Sequence, residues 1–309
     1  MTGVLLMTFG TATTSAGVRD YLASVRGGRH AQDDVVLEFE RRYDAVGRSP
    51  LLEITLAQAA GLEDALNAAH GPGSFAVTAG MLHSEPRIHS AATELVGRGA
   101  SRIAGVVLAP QYSSLILSGY ERAVAAFRGA HPDVEISVAG PWHMLPEWTG
   151  CLAERVDAAL LALPESQRNT IPVVFTAHSL PRAVVERDPG YIEQLRTTAT
   201  AVAHRCDLDA SRWVFAYQSA GHTPEEWLRP DVKELLPALR AEGHDAVLVA
   251  PVQFVADHLE ILYDLDVAAA DEARTFGVHM HRIAMPNATP AFIAALTAVV
   301  ERELSAAYR

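Results

Sequence analysis

Val-Leu-Val-Ala-Pro-Val-Gln-Phe (247–254) is a near copy of Val-Val-Leu-Ala-Pro-Gln-Tyr (106–112), and the match aligns Ala109-Pro110 with Ala250-Pro251. Each run is apolar and rich in β-branched residues until a proline ends it. That pattern reads as a strand buried on both faces, which proline cannot extend. Other pieces repeat in the same order. Ala139-Gly140-Pro141 echoes Ala284-Met285-Pro286, while His83-Ser84-Glu85-Pro86 and His222-Thr223-Pro224 each follow a strand-like run. Working outward gives strands near 3–9, 75–80, 104–110 and 134–139, then again near 172–177, 213–218, 246–251 and 278–284. Helical patterns fill the gaps at 15–26, 31–45, 54–69, 85–98, 119–130, 146–163, 189–205, 224–241 and 290–307. Strands alternating with helices predict parallel sheets covered on both faces. We therefore expect an α/β fold of two Rossmann-like halves, each a parallel four-stranded sheet flanked by helices. The expected boundaries are 1–163 and 164–309, with residues 164–171 as the connector and the C-terminal helix packing back. Ligands of such sheets bind at the strands' carboxyl ends, so a cleft collecting those loops from both halves is the expected site.

Composition narrows the function. With 309 residues, 49% hydrophobic and 20% charged, the chain can build an ample core. Its apolar runs are strand-length, well short of the roughly 20 residues that span a bilayer. No basic targeting region precedes the first strand. A formal net charge of −12 argues against nucleic acid or an anionic membrane as a general partner. Of 25 cationic side chains only Lys233 is lysine, so arginine, the better bidentate carboxylate binder, dominates. The two cysteines, Cys151 and Cys206, form no CxxC pair, which fits a reducing cytoplasm and buried thiols.

Two segments place ionisable groups at strand exits. Val-Val-Phe-Thr-Ala-His-Ser-Leu-Pro (173–181) puts His178 at a strand's carboxyl end, just before Pro181 forbids further pairing. Asp-His-Leu-Glu-Ile-Leu-Tyr-Asp (257–264) leaves an almost wholly apolar run, and as a helix it would set Asp257, Glu260 and Asp264 on one face. A loop-capping histidine and a solvated acidic face are the bland alternatives, but a buried strand feeding the acidic segment favours a site. GxGxxG after the first strand, GxxxxGK[ST] and GxSxG do not occur, which removes the usual support for nucleotide-binding and α/β-hydrolase readings.

At this point a resemblance can be stated. The chain resembles ferrochelatases over nearly its full length, most closely the short Gram-positive type that uses coproporphyrin III. The matching pieces are Leu-Leu-Met-Thr-Phe-Gly-Thr (5–11), Tyr-Asp-Ala-Val-Gly-Arg-Ser-Pro-Leu (43–51), Leu-Ala-Pro-Gln-Tyr-Ser (108–113) and Thr-Ala-His-Ser-Leu-Pro (176–181). They continue with the segments 217–232 and 254–264 and with Met-Pro-Asn-Ala (285–288). The resemblance implies a type II chelatase-like fold and a lyase of haem biosynthesis that inserts Fe(II) into coproporphyrin III to give coproheme. It implies His178 and Glu260 as the catalytic and metal-facing pair, with Asp264 in an outer metal site. It further implies that Phe9, Arg26, Arg42, Ser49 and Tyr120 line the porphyrin, guanidinium and hydroxyl donors suiting its propionates. Porphyrin and ferrous iron are then the substrates, with no permanent cofactor, no iron–sulfur cluster, no nucleic acid and no membrane insertion, in a cytoplasmic protein with room for transient partners in haem synthesis.

Departures from the relatives matter as well. Phe9 stands where some carry a tyrosine, and it has no hydroxyl to ligate or donate. Leu82 replaces a lysine. Ala268 replaces the glutamate four positions after Asp264, with Asp266 as the nearby substitute. Arg29 and Arg48 also read as ordinary solvated helix charge. Protoporphyrin IX as substrate, another tetrapyrrole chelatase, and a non-catalytic porphyrin or metal carrier are the competing readings, and turnover separates an enzyme from a carrier.

Overall fold

The computed structural model describes residues 1–221 and 224–306, so the His222-Thr223 part of the second echo and residue 307 of the last expected helix lie outside the described residues. All eight expected strands form: β1 (Thr2–Thr8), β2 (Phe75–Met81), β3 (Arg102–Val107), β4 (Glu135–Val138), β5 (Val173–His178), β6 (Trp213–Gln218), β7 (Ala246–Pro251) and β8 (His279–Arg282). They make two four-stranded parallel sheets with orders β2-β1-β3-β4 and β6-β5-β7-β8. The internal echo is thus a repeat of topology: within each half the first, second, third and fourth strands take the same places.

The helices are α1 (Val18–Val25), α2 (Asp33–Val46), α3 (Leu51–His70), α4 (Ile88–Gly97), α5 (Ser114–Ala130), α6 (Pro146–Ala162), the short α7 (Glu165–Arg168) and α8 (Arg182–Val185), α9 (Gly190–Arg205), α10 (Val232–Ala241), α11 (Ala270–Thr275) and α12 (Pro290–Ala306), with a π-helix over Glu260–Ala269. Central strands are apolar throughout because helices cover both faces: Val4 to Met7 and Val173 to Phe175 are fully buried. The helix expected over 224–241 begins only at Val232. Its first half is extended instead, because its backbone is committed elsewhere: Arg182 N–H donates to Glu226 O (2.7 Å), Leu228 N–H to Leu180 O (3.0 Å) and Tyr217 N–H to Pro230 O (2.8 Å). Asp231 then caps α10, accepting from Lys233 N–H while Glu234 accepts from the Asp231 N–H.

The chain divides into two compact units, Met1–Glu147 with Ala256–Leu259 and Asn287–Arg309, and Trp148–Val255 with Glu260–Pro286. The division therefore falls at 147/148 and not at 163/164. The reason is α6, whose Trp148, Cys151 and Leu152 are buried and whose Ala153 O faces the half-buried Cys206 thiol (3.7 Å). Residues 164–171, expected as the connector, carry α7 inside the second unit. Helix α12 joins the first unit, where Phe292 packs its ring 6.3 Å from that of Trp142.

Candidate functional site

In the second unit the register of β5 brings His178 opposite Gln218 of β6. The strand end is held by a side-chain relay. Gln253, just after β7, accepts the His178 backbone N–H (2.8 Å) and donates to the Tyr191 hydroxyl on α9 (2.5 Å). Thr176 donates to Gln218 Oε1 (2.7 Å). With its backbone fixed, the imidazole has two different faces. Nδ1 pairs with the Ser179 carbonyl, which can only accept, so Nδ1 carries a proton. Nε2 stands 3.6 Å from Glu260 Oε2. In the neutral ring this leaves the Nε2 lone pair as the free base, turned toward the carboxylate.

Electrostatics at this pair run in opposite directions. Burial on its own pushes the His178 pKa down, but the Glu260 charge, its hydrogen bond, the Ser179 carbonyl and the Asp264 charge together outweigh it and raise the value to about 9. Glu260 opens the π-helix, and its side chain is 43% exposed. An i→i+5 bonding pattern widens each turn, so residues four or five apart share a side, consistent with both Glu260 and Asp264 acting on His178.

Two expectations about the acidic segment change. Asp257 is not on the helix face with Glu260, because the helix starts after it. Asn287 holds it instead, its Oδ1 accepting the Asp257 N–H and its Nδ2 donating to Asp257 Oδ2, both at 2.8 Å. Asp266, the candidate substitute in an outer site, is taken by Arg282 in a two-bond fork (2.7 and 2.8 Å). Among the described residues, no three His, Cys, Asp or Glu side chains converge to hold a metal ion. His178, Glu260 and Asp264 form an acid–base grouping with no preformed cage.

The other expected residues belong to the first unit, around the exit of β1. Gly10 sits at φ +95°, and a Cβ there would meet Ser84 Oγ at 2.6 Å, so only glycine allows this exit. Phe9 is 44% exposed, and its ring lies 4.5 Å from that of His83, tilted at 58°. His83 Nδ1 in turn meets Ser24 Oγ (3.2 Å), two residues before the exposed Arg26. Burial, then the Arg87 charge, keeps the His83 pKa low, which favours a neutral ring. Thr11 donates to Ala12 O (2.7 Å), so its hydroxyl oxygen accepts from Tyr43 (2.8 Å), the neighbour of Arg42. Arg42 is paired with Glu38 (2.9 Å) and lies over the Phe39 ring. Ser49 is buried, its N–H bound to Thr13 O (3.0 Å), and its hydroxyl finds no partner among the described residues. Tyr120, by contrast, is 5% exposed within the α4–α5 core beside Leu117 and Val124, and burial pushes its hydroxyl pKa up. Arg48 is engaged by Glu53. From sequence Gln253 reads only as a loop residue at a strand's carboxyl end, and Tyr191 and Asn287 carry no role of their own. Their partners lie 62 to 75 residues away for Gln253 and 30 for Asn287, so no local spacing announces them.

The chain thus carries two parallel sheets of order 2-1-3-4, with a histidine–carboxylate pair at a strand's carboxyl end in the second unit. The fold matches that of SirB from Bacillus subtilis, solved with Fe3+, at a TM-score of 0.58 and 14% identity over 98% of this chain and 97% of that one. It also matches CbiX at 0.54 and 15%, over 97% and 98%. The family model Ferrochelatase matches residues 1–304. The curated ferrochelatase of Deinococcus radiodurans is 35% identical over 97% of this chain and 95% of its own length. The coproporphyrin III ferrochelatases of Geobacillus kaustophilus (36%; 96% and 94%) and Bacillus subtilis (33%; 98% and 97%) are similarly close. The chain belongs to the ferrochelatase family, a metal chelatase of haem biosynthesis with a porphyrin and ferrous iron as substrates. Among the described residues no helix is long and apolar enough to cross a membrane.

Proposed function

We propose that this chain inserts Fe(II) into coproporphyrin III in the cytoplasm, with His178 as the proton acceptor and Glu260 as its charged partner. The observation that carries the assignment is the fixed tautomer of His178, whose Nδ1–H is committed to Ser179 O while Nε2 faces Glu260. Metallation releases two pyrrole N–H protons, so the site needs a base and a route outward. While Glu260 is ionised it holds a proton on His178. A cation arriving at the carboxylate cancels that field, the imidazole gives up its proton, and Nε2 becomes free to accept one from a pyrrole. The imidazole proton leaves to water, and once the cation has entered the ring Glu260, half exposed, is free again to pass the pyrrole protons outward. Imidazole and carboxylate both suit Fe(II) but do not strongly exclude Zn(II) or Co(II), so metal selectivity is expected to be imperfect.

Coproporphyrin is favoured over protoporphyrin because its four propionates reward guanidinium donors such as Arg26, which is exposed in the first unit. The relatives so named lend the same support. Ser49 and Phe9 are assigned to the porphyrin's edge and face, Tyr120 to supporting that surface from the core, and Asp264 to a second carboxylate step. No resident cofactor takes part in this scheme.

The test is anaerobic competition, in which loss of free-porphyrin fluorescence is followed with Fe(II) and either porphyrin. Faster turnover on coproporphyrin III is expected, and His178→Ala should lower kcat by about 100-fold or more. Faster use of protoporphyrin overturns the substrate assignment. Stoichiometric binding without turnover would make the chain a carrier.

A further inference from the structure

His279 and His281 lie two residues apart on β8, the edge strand of the second sheet. Residues i and i+2 of a strand share one face, and their Cα atoms stand about 6.6 Å apart. The two imidazole centroids are only 4.3 Å apart, at 78° to one another. The rings therefore converge instead of standing parallel off the sheet. Met280 and Arg282 point to the other face, where Met280 packs on the core and Arg282 is forked onto Asp266. On the histidine side the register partners on β7 are Ala246 and Leu248, which bring neither charge nor a hydrogen-bonding group. The backbone bearing the pair is tied down by the ladder to β7, by the His279 N–H bond to Asp245 O (2.7 Å) and by the Arg282 fork. Neither ring nitrogen is required by the scheme at His178.

We propose that His279 and His281 form a bidentate surface site for a divalent first-row cation of the kind imidazole prefers, Cu(II), Ni(II) or Zn(II). Zinc–imidazole bonds of about 2.0–2.1 Å require the two ligating nitrogens to approach to roughly 3 Å, which converging rings reach by side-chain rotation alone. Water completes the coordination. Burial and the neighbouring His279 hold the His281 pKa below its ordinary value, so at neutral pH few protons compete with the ion. Nitrogen ligands of this kind follow the order in which copper binds most tightly and Fe(II) more weakly than zinc. The site is accordingly expected to hold the metals that compete with iron, separately from the pair that handles iron itself.

The experiment titrates Zn(II) into the full chain carrying His178→Ala, which removes the imidazole of the iron-handling pair, while proton NMR follows the histidine ring signals. One zinc per chain should shift both the His279 and His281 signals along a single curve. His279→Ala and His281→Ala, added singly, should each weaken that binding tenfold or more, and Cu(II) should bind the same pair more tightly than Zn(II). Because His279 is exposed, its variant should keep the parent's circular dichroism and melting curve. Zinc that moves neither ring at millimolar concentration, moves only one, or binds equally well after either substitution overturns the proposal.

Discussion

At the scale of single residues, the site turns on the dependence of one imidazole on one carboxylate. Glu260→Gln removes the largest of the contributions that together outweigh burial, so the His178 pKa should fall well below about 9. An NMR titration of the His178 ring measures it, and a value still near 9 would remove Glu260 as the cause. The same shift sets a pH dependence of stability. Because the folded value is raised, the stabilisation is complete below about pH 6.5 and is lost as pH rises through about 9. It is worth roughly 3 kcal/mol at most, and less once solvent screening at the half-exposed Glu260 is allowed for. Denaturant melts at pH 6 and pH 10 compare wild type with Glu260→Gln, whose curve should be flatter. The place of His178 at a strand's carboxyl end was legible because an apolar, β-branched run precedes it and Pro181 follows. Asp257 was misplaced because its environment is set by Asn287, 30 residues away.

Elements were legible where the period was simple. Eight strands were placed by apolar runs followed by helical patterns, and their repeated order was visible in the echoed Ala-Pro pairs. The start of α10 was misread although Asp231 and Glu234 carry a capping-box spacing, because the hydrophobic pattern upstream also fits a helix. The π-helix has no comparable signature. Neither has the way α3 closes the free edge of β2. Asn67 and Glu63, one turn apart, reach residues two apart on the strand: Asn67 bonds both the N–H and C=O of Phe75 (3.0 Å each), and Glu63 accepts the Val77 N–H (2.6 Å) while forking onto Arg98. An edge so saturated has little left to offer another strand. Asn67→Ala should strand two backbone groups and lower stability by about 1–3 kcal/mol, read as a drop in urea midpoint. An unchanged midpoint would show that water replaces the side chain without loss.

Over the whole molecule, the repeat predicted two halves but not how the chain shares itself between them. A pattern of strands and helices orders elements along the sequence; it does not say which sheet a terminal helix will cover. Here α12 returns to the first unit, where Phe292, Leu296 and Val299 are fully buried and Ile293 packs on Gly61 of α3. A fragment of residues 1–147 lacks that cover and should show no cooperative thermal transition by circular dichroism. Adding a peptide of residues 287–306 should restore one, and a cooperative melt of the fragment alone would make α12 dispensable to the unit. The return of α12 also has a consequence in time. A ribosome adding about 5–20 residues per second needs roughly 7–30 s to go from α6 to α12. Once β4 has left the ribosome, and for most of that interval, the amino-terminal sheet waits with an apolar face uncovered, so the nascent chain offers chaperones a binding surface that the finished enzyme no longer has.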